Sequence, residues 1–292
     1  MNLPTDLEAL HCSRWIFVTL KTDLPAVDFF HADLIPFLKK QTKSKYIEDV
    51  IITNEGQFVL LFIKTTAYHS STTLKPQLHK LYGDSIINYN DFYLLNFVIP
   101  NTHFIAEKLL PAIYPLLENH IAKNAPNYDL DEAFSFFVTL HLVFIHAMGM
   151  SKKEVQEFYH YAFTHALQSV SEDPLEQKVL NEQLSLFFDD QKAFFIPFVT
   201  SLVESLDASE WHEYAEWHAC SKSAFESIVQ LQATNNYIVP AEYLYDKALL
   251  SNDALQQRWI LLEQYILFID AQFIDRYMLY YFIKESIYTT TS

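Results

Sequence analysis

Three glycines in 292 residues, at positions 56, 83 and 149, restrict this chain more than any other feature. A dinucleotide-binding turn, a phosphate-cradling P-loop and a hydrolase nucleophile elbow each need clustered glycines for tight turns or close backbone approach. None of these can be written here. What remains is a fold built from side chains that fill space. Half of the residues are apolar, including 24 Phe and 18 Tyr, enough for a sizeable core in one large domain or two intimate ones. The formal net charge of −16 repels phosphate backbones and argues against duplex nucleic acid as a partner. Cys12 and Cys220 make no disulfide framework and fit a reducing cytosol. The opening Met-Asn-Leu-Pro-Thr-Asp has no basic region followed by an apolar core, so no signal peptide is expected.

The first hundred residues alternate in kind. Residues 14–21 are dense in β-branched and aromatic side chains and read as a strand. Residues 25–40 read as a helix with Val27, Phe30, Leu34, Phe37 and Leu38 on one side, and Pro36 should bend it or loosen one turn. Residues 46–53 and 57–64 read as strands joined at Asn54-Glu55-Gly56. A short helix over 73–82 closes at Gly83, and 91–99 reads as a fourth strand stopped by Pro100. The order β-α-β-β-α-β predicts a ferredoxin-like sheet. The run Phe58-Val-Leu-Leu-Phe-Ile63 is apolar on both faces, as expected of a strand covered twice.

Beyond Asn101 the patterns are helical, over 103–122, 130–148, 152–170, 174–188, 191–206, 209–232 and 253–285. The uncharged run 133–150 is near membrane-spanning length. It contains Ser135, Thr139, His141 and His146, and it opens on Asp129, Asp131 and Glu132 and closes at Gly149, as a buried core helix would. Ser151-Lys-Lys-Glu154 is a capping box, and Asp173-Pro174 is a cap followed by a first-turn proline. The predicted class is α+β: a ferredoxin-like part over 1–101, then a helical part over 102–292 packed on it.

Four stretches carry a resemblance to a known family. They are the Trp15 strand with Phe29 and Leu34-Ile-Pro-Phe-Leu38, and the hairpin Asp49-Val-Ile-Ile-Thr-Asn-Glu-Gly-Gln-Phe-Val-Leu-Leu-Phe62. The third holds Leu140-His-Leu142, then His146-Ala-Met-Gly-Met-Ser-Lys-Lys-Glu-Val155 and Phe158, and the fourth is Glu242-Tyr-Leu-Tyr-Asp-Lys-Ala248. In order and spacing the chain resembles the C-terminal elimination domain of class I lantibiotic dehydratases, also found as free-standing thiopeptide-type bacteriocin biosynthesis proteins. The resemblance implies β-elimination of glutamate from glutamylated Ser or Thr. That reaction needs a base for the α-proton and cations for the enolate and the leaving carboxylate.

The family presents those cations as two arginines in a His-Leu-Arg-Leu-Arg-Phe strand. Here the histidine slot is Gln57, and the arginine slots are Val59 and Leu61, which are also the substrate-binding positions that the resemblance implies. An expected Arg-Tyr-Gly-Gly element has no counterpart, and the closing His-Met-x-x-Asn-Arg-Leu motif is represented by Glu242, Asp246 and Lys247. Aliphatic side chains cannot stabilise developing negative charge. The resemblance therefore implies a shared fold with the usual elimination residues lost.

Candidate chemistry is sparse. Glu242 could act as a base with Lys247 as counter-charge and Asp246 beside them; a solvated helix face carries the same spacing. His212, Glu216 and Cys220 stand at i, i+4 and i+8, and His-Glu-x-x-Glu is similar to the zinc motif with one ligand changed. One helical stripe of that length spans ~12 Å, awkward for a tetrahedral ion, so no metal and no cofactor is expected. His141 and His146 fall on different sides of their helix and read as satisfied core histidines. Tyr277, Tyr280 and Tyr281 could line a peptide groove or simply face a core. Two functions stay open. The first is a free-standing elimination-domain-like protein of lanthipeptide or thiopeptide biosynthesis, with a modified precursor peptide and a large glutamylating dehydratase as partners. That class includes a divergent lyase, a pyridine-synthase-like macrocycle former and a non-catalytic subunit. The second is a helical interaction protein whose acidic surface docks a basic partner.

Overall fold

Strand β1 (Trp15–Lys21) is built from the β-branched and aromatic run and forms an inner strand of the sheet. The structure is a computed structural model that describes residues 15–23, 26–55, 57–66, 68–90, 103–124, 130–204, 212–234 and 275–289. Strands β2 (Ile47–Glu55), β3 (Phe58–Thr65) and β4 (Ile86–Asn90) complete a four-stranded sheet in the order β2-β3-β1-β4, with every pairing antiparallel. Glu55 pairs with Phe58, so β2 runs two residues further than the sequence pattern suggested and β3 begins one residue later. The expected strand over 91–99 lies outside the described residues. The segment that pairs with β1 is Ile86–Asn90, whose polar Asn88 and Asn90 conceal its strand character in sequence.

Helices α1 (Ala26–Phe29) and α2 (Ile35–Lys43) flank a π turn over Phe30–Leu34. The cause is Pro36, which lacks an N–H and crowds the carbonyl four residues back. The Ile35 N–H instead reaches the Phe30 carbonyl, five residues back, and the expected single helix is interrupted at this point. At the end of α2, Lys45 takes a left-handed conformation (φ 59°) while the Tyr46 N–H donates to the Gln41 carbonyl, a Schellman-type close without the usual glycine. Helix α3 (Tyr68–Tyr82) lies beside α2, where Tyr82 meets Phe37 and the Gln41 amide donates to Gln77. Helix α4 (His103–Leu109), a 3-10 turn and helix α5 (Ile113–Asn124) follow, and Lys39 pairs with Glu118 at 2.9 Å.

The chain divides into two compact units, Met1–Phe97 with Thr102–Tyr128, and Val98–Asn101 with Asp129–Ser292. In the second unit helix α6 (Leu130–Ala147) is apolar almost all round and is buried at nearly every position from Ala133 onward. Its sheath comprises α7 (Lys152–Val170), α8 (Pro174–Glu204), α9 (Ala215–Ala233) and α10 (Arg276–Thr289). Among the described residues no helix is long and apolar enough to cross a membrane.

Local signals explain the helix ends. Ser151 Oγ accepts from the Glu154 N–H while the Glu154 carboxylate accepts from the Ser151 N–H at 2.7 Å, so two free amides at the start of α7 are satisfied. Asp173 accepts the Leu175 N–H at 2.9 Å and starts α8. Gly149 ends α6 region packing at φ 66°, its N–H reaching the His146 carbonyl. Helices expected separately at 174–188 and 191–206 are one 31-residue helix. No glycine or proline falls at the junction, and the Asp189–Lys192 pair at 2.9 Å runs across it.

Candidate functional site

Side-chain alternation on the sheet decides where the hairpin positions point. Val59 and Leu61 share a face with Ile16, Val18, Leu20, Val50, Ile52 and Ile63, and all of these are buried. Tyr89 on β4 sits opposite Val18 on that same face, and Lys75 of α3 lies 4.4 Å over its ring. Helix α3 therefore covers this face. Val59 and Leu61 are both 0% exposed, and Gln57 is exposed at the hairpin loop, where its carbonyl accepts the Thr22 N–H. The opposite face carries Phe17, Thr19, Phe58, Leu60, Phe62 and Lys64, and it is only partly covered. One residue of register separates the two environments.

Of the metal candidates, His212 lies in a 3-10 turn (His212–Tyr214) that precedes α9, and so it leaves the helical stripe on which the spacing argument rested. Glu216 is exposed, while Cys220 is half-buried, its thiol pushed up by burial and by the nearby Glu216 carboxylate. Among the described residues no group of three or more His, Cys, Asp or Glu side chains could hold a metal ion. Glu242, Asp246 and Lys247 lie outside the described residues.

The helical unit brings together two histidine clusters that sequence spacing did not reveal. His141 is fully buried on α6, with Nδ1 3.2 Å from the Tyr159 hydroxyl of α7. Tyr280 of α10 packs against both rings at 5.9 Å. This is a sealed polar knot that ties three helices together, and a buried imidazole without such a partner would be costly. His141 is a satisfied core histidine, as its position suggested. Tyr280 and Tyr281 are buried, at 7% and 5% exposure, and Tyr277 donates to Asp275. Two of the three tyrosines therefore pack inward.

His146 differs from the expectation. It is half-buried rather than part of the core, and its Nδ1 stands 3.2 Å from Nε2 of His218 on α9, with ring centroids 5.3 Å apart. Partial burial lowers the proton affinity of both imidazoles; each is lowered further by a neighbour, His218 for His146 and Lys222 for His218. Their supports are stiff. The Trp217 indole N–H donates to the Leu140 carbonyl at 2.9 Å, and the ring stacks on Phe144 at 5.5 Å. Trp217 is 0% exposed, so His218 follows a fully anchored residue. The pair joins residues far apart in sequence, which is why no local motif disclosed it.

The described residues thus define a mixed α/β protein with a small antiparallel sheet followed by a helical unit that holds an accessible imidazole pair. Two solved structures share this fold. TsrL matches with a TM-score of 0.70 at 13% identity, over 95% of each chain. TbtD, the pyridine synthase from thiomuracin biosynthesis, matches with a TM-score of 0.60 at 9% identity, over 94% of this chain and 98% of its own. No protein-family model and no curated protein matches the chain.

Proposed function

We propose that this chain modifies a ribosomally made peptide of the thiopeptide type, as a ring-forming relative of the elimination domain. The observation that carries this reading is the extent of the likeness to the pyridine synthase TbtD, which runs through nearly all of both chains rather than through one shared motif. We read the β2-β3-β1-β4 order, with its β-α-β-β-α-β element sequence, as the ferredoxin-like arrangement that the resemblance implies. Glutamate elimination would need cations along β3, and the positions laid on the family's arginines hold Val59 and Leu61. Closing a ring on a peptide places different demands on the protein. The reacting residues must be held together, and protons must leave and reach peptide atoms in turn. Glu242, Lys247 and Asp246 are the proposed base, counter-charge and neighbour for that work, and the dehydrated precursor peptide is the proposed substrate.

A non-catalytic peptide- or partner-binding role is the second reading, favoured by the net charge of −16, which suits a basic partner. One experiment separates the readings. The full chain is incubated with a dehydrated precursor peptide and, separately, with its glutamylated form, and products are followed by mass spectrometry and ultraviolet absorption. A cyclised product with new aromatic absorption supports ring formation. Dehydroalanine from the glutamylated peptide would show that elimination survives. Binding without any mass change selects the non-catalytic role.

A further inference from the structure

We propose that His146 and His218 form an open two-imidazole site for a borderline divalent metal ion of the zinc, nickel or copper type. This inference is independent of the peptide chemistry above. The geometry carries it. Two imidazole nitrogens bound to one such ion at ~2.0–2.1 Å, with bond angles between square and tetrahedral, stand ~2.9–3.4 Å apart. The facing nitrogens here, His146 Nδ1 and His218 Nε2, are separated by 3.2 Å. A shared hydrogen bond is the other use of such a spacing, and it leaves one nitrogen as donor and the other as acceptor. A metal takes both as acceptors after a small outward shift.

One further feature suits the site to a cation. The Trp217 anchor and the Phe144 stack fix the two helices beside the pair, so little ordering accompanies binding. Lys222, one turn beyond His218, acts in the opposite sense, because its positive charge is felt at His218 and would limit affinity for a cation. Two protein ligands leave the remaining coordination positions to water or to a donor from a bound molecule, as in sites that exchange ligands rather than sites that hold a fold together.

The test is calorimetric titration of the full, untagged chain with zinc chloride, paired with copper(II) titration read by electron paramagnetic resonance. The expected result is one ion per chain with two nitrogen donors in the copper spectrum. H146Q and H218Q should each weaken binding by about tenfold or more, and the double variant should be little worse than either single one. K222Q should tighten binding. Both histidines are half-buried, so thermal melting of the variants serves as the folding control. Binding that is absent, sub-stoichiometric or unchanged in H146Q and H218Q would overturn the proposal and leave the pair as a hydrogen-bonded contact.

Discussion

Restoring an arginine at position 61 asks directly which way the central strand faces. Leu61 is 0% exposed, opposite Val18 on β1 and Ile52 on β2. Removing the leucine forfeits about 2 kcal/mol of apolar burial. An unpaired guanidinium in the same place costs several kcal/mol more, because the neighbouring sheet positions on that face, at 16, 18, 20, 50, 52, 59 and 63, carry no carboxylate to receive it. A total of about 5 kcal/mol or more approaches the whole stability of a typical domain. L61R, and V59R for the same reason, should therefore fail to give soluble, cooperatively folding protein. L60R is the matched control. Leu60 faces the other way beside Thr19 and is only half-buried, so an arginine there can run its stem along the sheet and keep its head in water at a cost below about 2 kcal/mol. Urea unfolding followed by circular dichroism, together with soluble yield, measures the difference. An L61R protein that unfolds near the native midpoint would refute the argument and mean that this strand face opens onto space able to hold a guanidinium.

Four other outcomes follow from local chemistry. Y159F leaves His141 Nδ1 without its 3.2 Å partner and should cost about 1–3 kcal/mol in chemical denaturation. K45G should stabilise the chain by up to about 1 kcal/mol, because Lys45 sits at φ 59°, where glycine carries no Cβ penalty; an unchanged or lower melting temperature would contradict this. S286A should also stabilise modestly, since the Ser286 hydroxyl is fully buried and finds no partner among the described residues. The His146–His218 pair should make stability fall as pH drops below 6.5. Both folded-state proton affinities are depressed, so the unfolded chain binds more protons in that window, and the lost contribution is present in full only above it. Melting temperature against pH should show a shallower acid decline in the H146Q/H218Q double variant than in the native chain.

Local patterns made much of the architecture legible. The capping box at Ser151 and the aspartate cap at Asp173 are short-range chemistry, and each appears where the sequence places it. Strand β3, expected to be covered on both faces, is instead sealed on one face and only partly covered on the other, where Phe58 is exposed. Continuity was harder to read. The long helix over 174–204 looked like two because its polar stretch near Asp189 and Asp190 resembles a loop. Only the absence of glycine or proline at that junction argued otherwise, Pro197 lying a turn or two further on inside the helix. Strand β4 was hidden by its asparagines, since an edge strand need not be apolar to pair. The site was least legible. Spacing along one helix suggested His212, Glu216 and Cys220, but the 3-10 turn removes His212 from that line. The pairing of His146 with His218 depends on how two distant helices dock, which no local window contains.

The sheet order has a consequence for how the protein is made. β1 leaves the ribosome before β3 and β4, yet these are its hydrogen-bonding partners, as in the pairing of Val18 with Leu61 and Tyr89. Until those segments emerge, Trp15, Ile16, Val18 and Leu20 form an apolar strand with both edges bare, the condition under which nascent chains pair with one another. The β2–β3 hairpin can close by itself, but the four-stranded sheet cannot form until β1 is captured between β3 and β4. A helper that shields β1 until β3 and β4 have emerged should therefore raise the yield of native protein.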